Sequence, residues 1–291
     1  MQFPNYIQTI AHSKKNMVLK KLIKAVWKAM HLSSYIILFS RNWINPFLTI
    51  YVNLKFLPLS QAVKLPIWIY GKTKFLTLNG EFIITAKNVY TGMITIGKSN
   101  SAPCTSGGGS EIINYSRIIF EGKTEIGCGC RILTYGKGEL IFGKNFMTYN
   151  QNVIACCNLI KIGNSVNLGS QCQVFDTDFH FMYNLVSATV RRNNKAIIIG
   201  DYCWIGNRTT IMKGTEIPDC TILASNSLLN KKYDIPKGSI LAGMPAKVVA
   251  SDYVRIRNQK IESELSSYFE SGGQIYQFPE NTNIEYLINR L

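Results

Sequence analysis

Acid and histidine are scarce in this chain. Asp and Glu together number 17 against 32 Lys and Arg, and only three His occur: His12, His31 and His180. No Asp or Glu precedes Glu81, whereas Lys and Arg already number eleven by Gly80. So lopsided a charge either suits an anionic partner (membrane surface, glycan or nucleic acid) or serves solubility alone. Three scattered His are too few for a His-rich metal centre, so metal-dependent hydration is set aside and no metal is expected. Nucleic-acid binding is not expected either, because the basic residues form no recognisable reading motif. Leu32 to Ser40, the longest apolar run near the N-terminus, falls far short of the roughly 20 residues needed to span a bilayer.

The eight Cys (Cys104, Cys128, Cys130, Cys156, Cys157, Cys172, Cys203 and Cys220) form no CxxC pair and no disulfide ladder. The start lacks a basic segment followed by a long apolar core. Reduced thiols and a cytoplasmic location are therefore expected. Cys128-Gly129-Cys130 and Cys156-Cys157 read as small packing residues rather than metal ligands.

Two kinds of periodicity are present. Over 16–31, Leu19, Leu22, Ile23, Val26, Trp27 and Met30 recur at helical spacing, with Lys20, Lys21, Lys24 and Lys28 elsewhere on the wheel. A basic amphipathic helix of this kind packs on its own protein or lies on a membrane surface. Further on, every sixth residue from Ile199 is aliphatic: Ile199, Ile205, Ile211, Ile217, Leu223, Leu229, Ile235 and Leu241. Shorter sets precede it: Ile162, Leu168 and Val174; Phe142, Thr148 and Ile154; Phe120, Ile126 and Ile132. Six residues are too few for a hairpin or helix pair but fit one short strand and one corner. Three such sides close a triangular coil with the aliphatic pointing to the axis, and stacked coils bury a continuous column. Gly beside the aliphatic, as at Gly200 and Gly206, is expected to permit the tight corner.

The fold expected is thus mainly β, a left-handed parallel β-helix. It divides into a basic, partly helical region 1–75, a prism 76–250 and a helical extension 251–291, where Ile261 and Leu265 share a helix face. The extension is a candidate cover for the prism end, since a solenoid must cap its last coil. From Val174 to Ile199 the step is 25 positions where six were due, so the segment 175–198 must leave the prism as a loop. Loops on rigid scaffolds often carry function. This one holds Asp176, Asp178 and His180, then Asn184 and Arg191-Arg192. His is the usual general base near neutral pH. Asp178 is the first choice to orient it and Asp176 the second.

Several stretches resemble the hexapeptide-repeat O-acetyltransferases, especially members found with capsule and exopolysaccharide genes. They are Ile199-Gly-Asp-Tyr-Cys-Trp-Ile-Gly206 with Ile211-Met-Lys-Gly214, Ala242-Gly-Met-Pro-Ala-Lys-Val248, Asp176-Thr-Asp-Phe-His180, and the leader from Ile50 to Pro58 and Lys64 to Pro66. The resemblance covers roughly residues 45–250. It implies a homotrimer that moves an acetyl group from acetyl-CoA to a sugar or polysaccharide hydroxyl, with His180 as base and the cofactor in a groove between neighbouring prisms. Positions matching the cofactor contacts are Asn207, Ser225, Asn230, Lys231 and Lys247. Lys231 and Lys247 suit its phosphates. Where the family places acceptor-touching Asn and Asp, this chain has Tyr149 and Cys157, with Asn150 or Asn152 as substitutes for the first. Tyr149, Asn150 and Asp176 are therefore the candidate acceptor contacts. A second basic residue of the closing motif is replaced by Ala250, with Lys232 as the candidate to compensate. Two other readings stay open: N-acetylation of an amino sugar, and a non-catalytic scaffold docked on membrane or glycan.

Overall fold

In the computed structural model, which describes residues 43–99 and 108–289, the six-residue units become short strands joined by corners. The 16–31 stretch, His12, His31 and Cys104 lie outside the described residues. Every third strand joins the same sheet, so three parallel faces grow side by side as the chain advances. The first face begins with Ile67–Ile69 and passes through Asn167–Leu168 and Trp204–Ile205 to Ile240–Gly243; the second runs from Lys74–Leu78 to Leu228–Leu229; the third runs from Glu81–Ile84 to Glu216–Ile217. This is the left-handed parallel β-helix. Its strands begin at Ile67, ahead of the boundary at 76 read from the sequence.

The aliphatic column is inside. Ile199 stacks between Ile162 and Ile217, Ile205 between Leu168 and Leu223, and Ile211 between Val174 and Leu229, all buried. Ile235 is the exception, only partly buried against the same core. Several strands are just two residues long, so ladder hydrogen bonds alone hold little. Each interior Ile or Leu contributes about 1.5–3 kcal/mol as an upper figure, and the column therefore supplies most of the cohesion. Nearer the N-terminus aromatics join the aliphatic residues of the axis. Phe82, Phe120 and Phe142 stack at 6.1 and 5.7 Å, and Phe146 follows Phe142 at 4.8 Å.

The glycines act differently from expectation. Gly206 does not have a positive φ; a Cβ there would come within 2.6 Å of the Ser225 backbone N in the next coil. Its role is close stacking, and the left-handed turn falls two residues later, on Arg208 (φ 57°). Tyr202, Cys220 and Asn226 turn equivalent corners at φ 59° each. Non-glycine residues thus carry the strained conformation, at about 1–2 kcal/mol apiece, and the stacked column offsets it.

The N-terminal end is closed by helix α1 (Pro46–Phe56) and the short α2 (Leu59–Ala62). Asn45 caps α1 by accepting from the Leu48 N–H. Ile67–Ile69 is an edge strand whose outer backbone groups no further coil can satisfy. Asn53 meets them twice: its Oδ1 accepts from the Ile67 N–H at 3.1 Å and its Nδ2 donates to the Ile67 carbonyl at 2.7 Å. Thr49 Oγ1 accepts from the Ile69 N–H. At the other end the chain reverses at the cis Met244–Pro245 peptide, and Ala246–Ala250 returns antiparallel along Ile240–Gly243. The extension, with α3 (Gln259–Glu270) and α4 (Ile284–Ile288), docks on the flank of the first face rather than over the last coil. Buried Arg257 donates to Asn167 Oδ1 and to the carbonyls of Tyr202 and Cys203, and the Arg255 guanidinium lies 4.6 Å from the Trp204 ring centre.

Candidate active site

The segment that carries the candidate loop leaves the prism at the edge between the second and third faces. Two residues separate the strands at Asn114/Arg117 and at Cys156/Leu159, four separate Thr134 from Glu139, and Phe175 to Ile197 carries the loop. The loop has a firm neck. Thr177 bridges Asn194, the Asp178 N–H donates to the Asn193 carbonyl at 2.9 Å, and the Lys195 N–H donates to the Asp176 carbonyl at 2.9 Å. Beyond the neck, Tyr183–Asn184 and Thr189–Val190 pair as a small hairpin. His180 sits just outside the neck, exposed. It lines a cavity of about 440 Å³ with Asp178, Tyr183, Arg191, Arg192 and Lys213.

The two acids do different work. Asp176 is wholly buried, and its carboxylate is turned away from the loop: Oδ1 accepts from the Cys157 N–H at 2.8 Å and Oδ2 from the Asn158 N–H at 2.7 Å. Burial raises its pKa above the usual carboxylate value despite those donors. Asp178 forms an ion pair with Lys213, which the next coil presents beside it. Lys213 belongs to the Ile211-to-Gly214 motif but was not among the residues singled out. Its signal was its place one strand position past Met212, which lies opposite Phe175. Phe179, immediately before His180, has φ 62°, held by its N–H donating to Thr177 Oγ1 and by an edge contact with Phe175 at 5.9 Å. A left-handed aromatic residue is a strained conformation that the neck over-determines, and it fixes where His180 emerges. Arg192 is anchored through Nε to Asn194 Oδ1 at 2.7 Å.

The remaining candidates fall into two groups. Asn230 and Lys231 follow Leu228–Leu229 on the same edge as the loop, with Lys231 Nζ 5.5 Å from the Tyr233 ring centre. Tyr149, Asn150, Asn207 and Ser225 stand at successive corners of another edge, between the first and second faces. Lys247 pairs with Ala242 beside that edge. Asn207 Oδ1 accepts from the Ser170 N–H, while Ser225 is exposed. Asn150 is buried, and neither its side-chain N nor its O has a hydrogen-bond partner among the described residues. The two edges are separated by a whole face, roughly 15–20 Å at about 3.3 Å per residue. Within one chain they cannot line one small cavity.

The described cysteines are free thiols, mostly inside the prism. Burial pushes Cys130 and Cys172 up to about 11 and Cys203 up to about 12.

No family model matches the chain. The putative lipopolysaccharide biosynthesis O-acetyl transferase WbbJ of Escherichia coli (strain K12) is 27% identical over 148 residues, 47% of this chain and 74% of that protein. The probable acetyltransferase Rv3034c of Mycobacterium tuberculosis (strain ATCC 25618 / H37Rv) is 32% identical over 136 residues, 45% of this chain and 41% of that protein. The polysialic acid O-acetyltransferase of Escherichia coli O1:K1 / APEC is 25% identical over 147 residues, 50% of this chain and 40% of that protein. The chain therefore spans less than half the length of the latter two. Among solved structures, the polysialic acid O-acetyltransferase OatWY overlaps 67% of this chain and 99% of its own at 20% identity, with a TM-score of 0.41. The six-residue column makes the fold a left-handed parallel β-helix, and the curated relatives that the chain resembles over about half its length are named as acetyltransferases.

Proposed function

We propose that this chain transfers the acetyl group of acetyl-CoA to a hydroxyl of a sugar within a glycan, with His180 as general base. The observation that carries the reading is the coil interrupted at 175–197, which projects His180 from a hydrogen-bonded neck over a cavity rich in cations. His180 accepts the hydroxyl proton while the oxygen bonds to the thioester carbonyl. The tetrahedral centre then collapses, the carbon–sulfur bond breaks, and the imidazolium returns the proton to the departing thiolate. The Asp178–Lys213 pair steadies the loop beneath His180, and Arg191 and Arg192 supply positive charge suited to an acidic glycan. The relatives named for lipopolysaccharide and polysialic acid O-acetylation support an acceptor of this class.

The separation of Asn207, Ser225 and Lys247 from His180 by a full face supports a site shared between chains. The first-to-second edge of one prism would lie against the loop-bearing edge of the next, as a cyclic homotrimer provides. Lys247 and Lys231 would then hold the phosphates of acetyl-CoA, whose contribution is the activated acetyl thioester. A test is incubation of the full chain with acetyl-CoA and a panel of sugars, nucleotide-sugars and acidic glycans, with release of CoA thiol as the readout. Release with a hydroxyl acceptor is expected. Release only with an amino sugar would replace O-acetylation by N-acetylation. The His180→Ala chain is expected to turn over about 10²–10⁴-fold more slowly while CoA still raises its melting temperature. Unchanged turnover would remove His180 from the mechanism.

A further inference from the structure

Helix α1 is apolar on both of its sides, and only one side is used. Thr49, Val52, Asn53 and Phe56 face the first coil. On the opposite side, at about 100° per residue, lie Phe47, Ile50, Tyr51 and Leu54. All four are exposed, Phe47 by 84%. The next turn of chain extends the patch with Leu59, 71% exposed, and Val63. A soluble helix normally puts charge on its outer face, and one that is apolar all round needs a cover. Nothing else in the described molecule packs there, and the column the helix caps does not need these side chains.

The charge around the patch indicates the cover. Residues 44–80 contain Lys55, Lys64, Lys72 and Lys74 and no acid. Lys55 and Lys64 are exposed within the patch itself, and Lys55 Nζ lies 5.6 Å from the ring centres of both Tyr51 and Phe56. Large apolar side chains ringed by lysine, with aromatic residues at the rim, match the boundary between acyl chains and acidic headgroups. Among the described residues no helix is long and apolar enough to cross a membrane, so the mode available to this patch is surface docking. We propose that the α1–α2 end of the prism docks on an anionic phospholipid bilayer. Phe47, Ile50, Leu54, Leu59 and Val63 enter the headgroup boundary, Lys55 and Lys64 meet lipid phosphates, and the prism axis projects from the surface.

The test is co-sedimentation of the full chain with vesicles. Binding is expected to vesicles of equal parts phosphatidylglycerol and phosphatidylcholine, and not to phosphatidylcholine alone. The Phe47→Ser/Leu54→Ser/Leu59→Ser chain is expected to bind at least about tenfold more weakly, and Lys55→Glu/Lys64→Glu to weaken binding and flatten its salt dependence. These side chains are exposed, so both variants should melt as the parent does. The proposal is overturned by an unbound parent chain, or by variants that bind like the parent, which would move the contact to residues before Trp43. A smaller sedimenting mass in the serine variant, with vesicle binding intact, would make the patch a contact between copies instead.

Discussion

Asp176 is a residue whose position in the sequence suggests chemistry and whose geometry shows support. Both carboxylate oxygens accept backbone N–H groups from the corner below, and its carbonyl closes the loop neck. Asp176→Asn would turn an amide donor toward a backbone donor. The expected cost is about 1–3 kcal/mol, read as a lower urea midpoint, with turnover falling as the neck loosens. The pH response has a definite sign. Because burial raises this pKa in the folded chain, the folded state binds the proton more tightly than the unfolded one. The group's contribution is therefore absent at neutral pH, grows as pH falls through the folded pKa, and is complete below the unfolded value of about 3.9. Denaturant melts at descending pH should show the parent gaining on Asp176→Asn. The loop that bears His180 was legible because the repeat breaks around it. Lys213 was harder to find: its partner Asp178 is 35 positions earlier, and only folding the loop out of the count makes them neighbours.

At the scale of elements, strict period and element type were legible, and exceptions to local rules were not. The strands followed from the aliphatic column because burial, not local propensity, selects those positions. Helix α1 has no such contrast. Apolar residues surround it, so helical periodicity is masked, and the Asn45-Pro46 start was its main local signal. The corners at Tyr202, Arg208, Cys220 and Asn226 were equally hidden, since no glycine marks their positive φ. What α1 does for the fold can be measured. Asn53→Leu keeps an apolar fit but strips the Ile67 N–H and carbonyl of their partners at a buried edge. About 2–4 kcal/mol of stability should be lost, and hydrogen exchange should quicken first in Ile67–Ile69. Uniform protection in that variant would mean the edge strand is closed by something other than Asn53.

The prism is a quasi-one-dimensional stack, so distant coils influence each other only through those between them. That rigidity bears on catalysis. A prism cannot fold one edge onto another, so in the proposed site Ser225 and His180 come from different chains. The arrangement is open to a complementation experiment. Ser225→Trp places bulk on one edge, and His180→Ala removes the base on another; each variant alone is expected to be nearly inactive. Co-folded in equal amounts, a site formed between two chains is intact when the first edge comes from a His180→Ala chain and the loop edge from a Ser225→Trp chain. Random assembly into cyclic trimers makes that so at about one interface in four, so roughly a quarter of parental activity should return. A site contained within one chain gives no recovery at any mixing ratio. The size of the recovered fraction also reports how freely subunits mix, because trimers that assemble preferentially from like chains would return less.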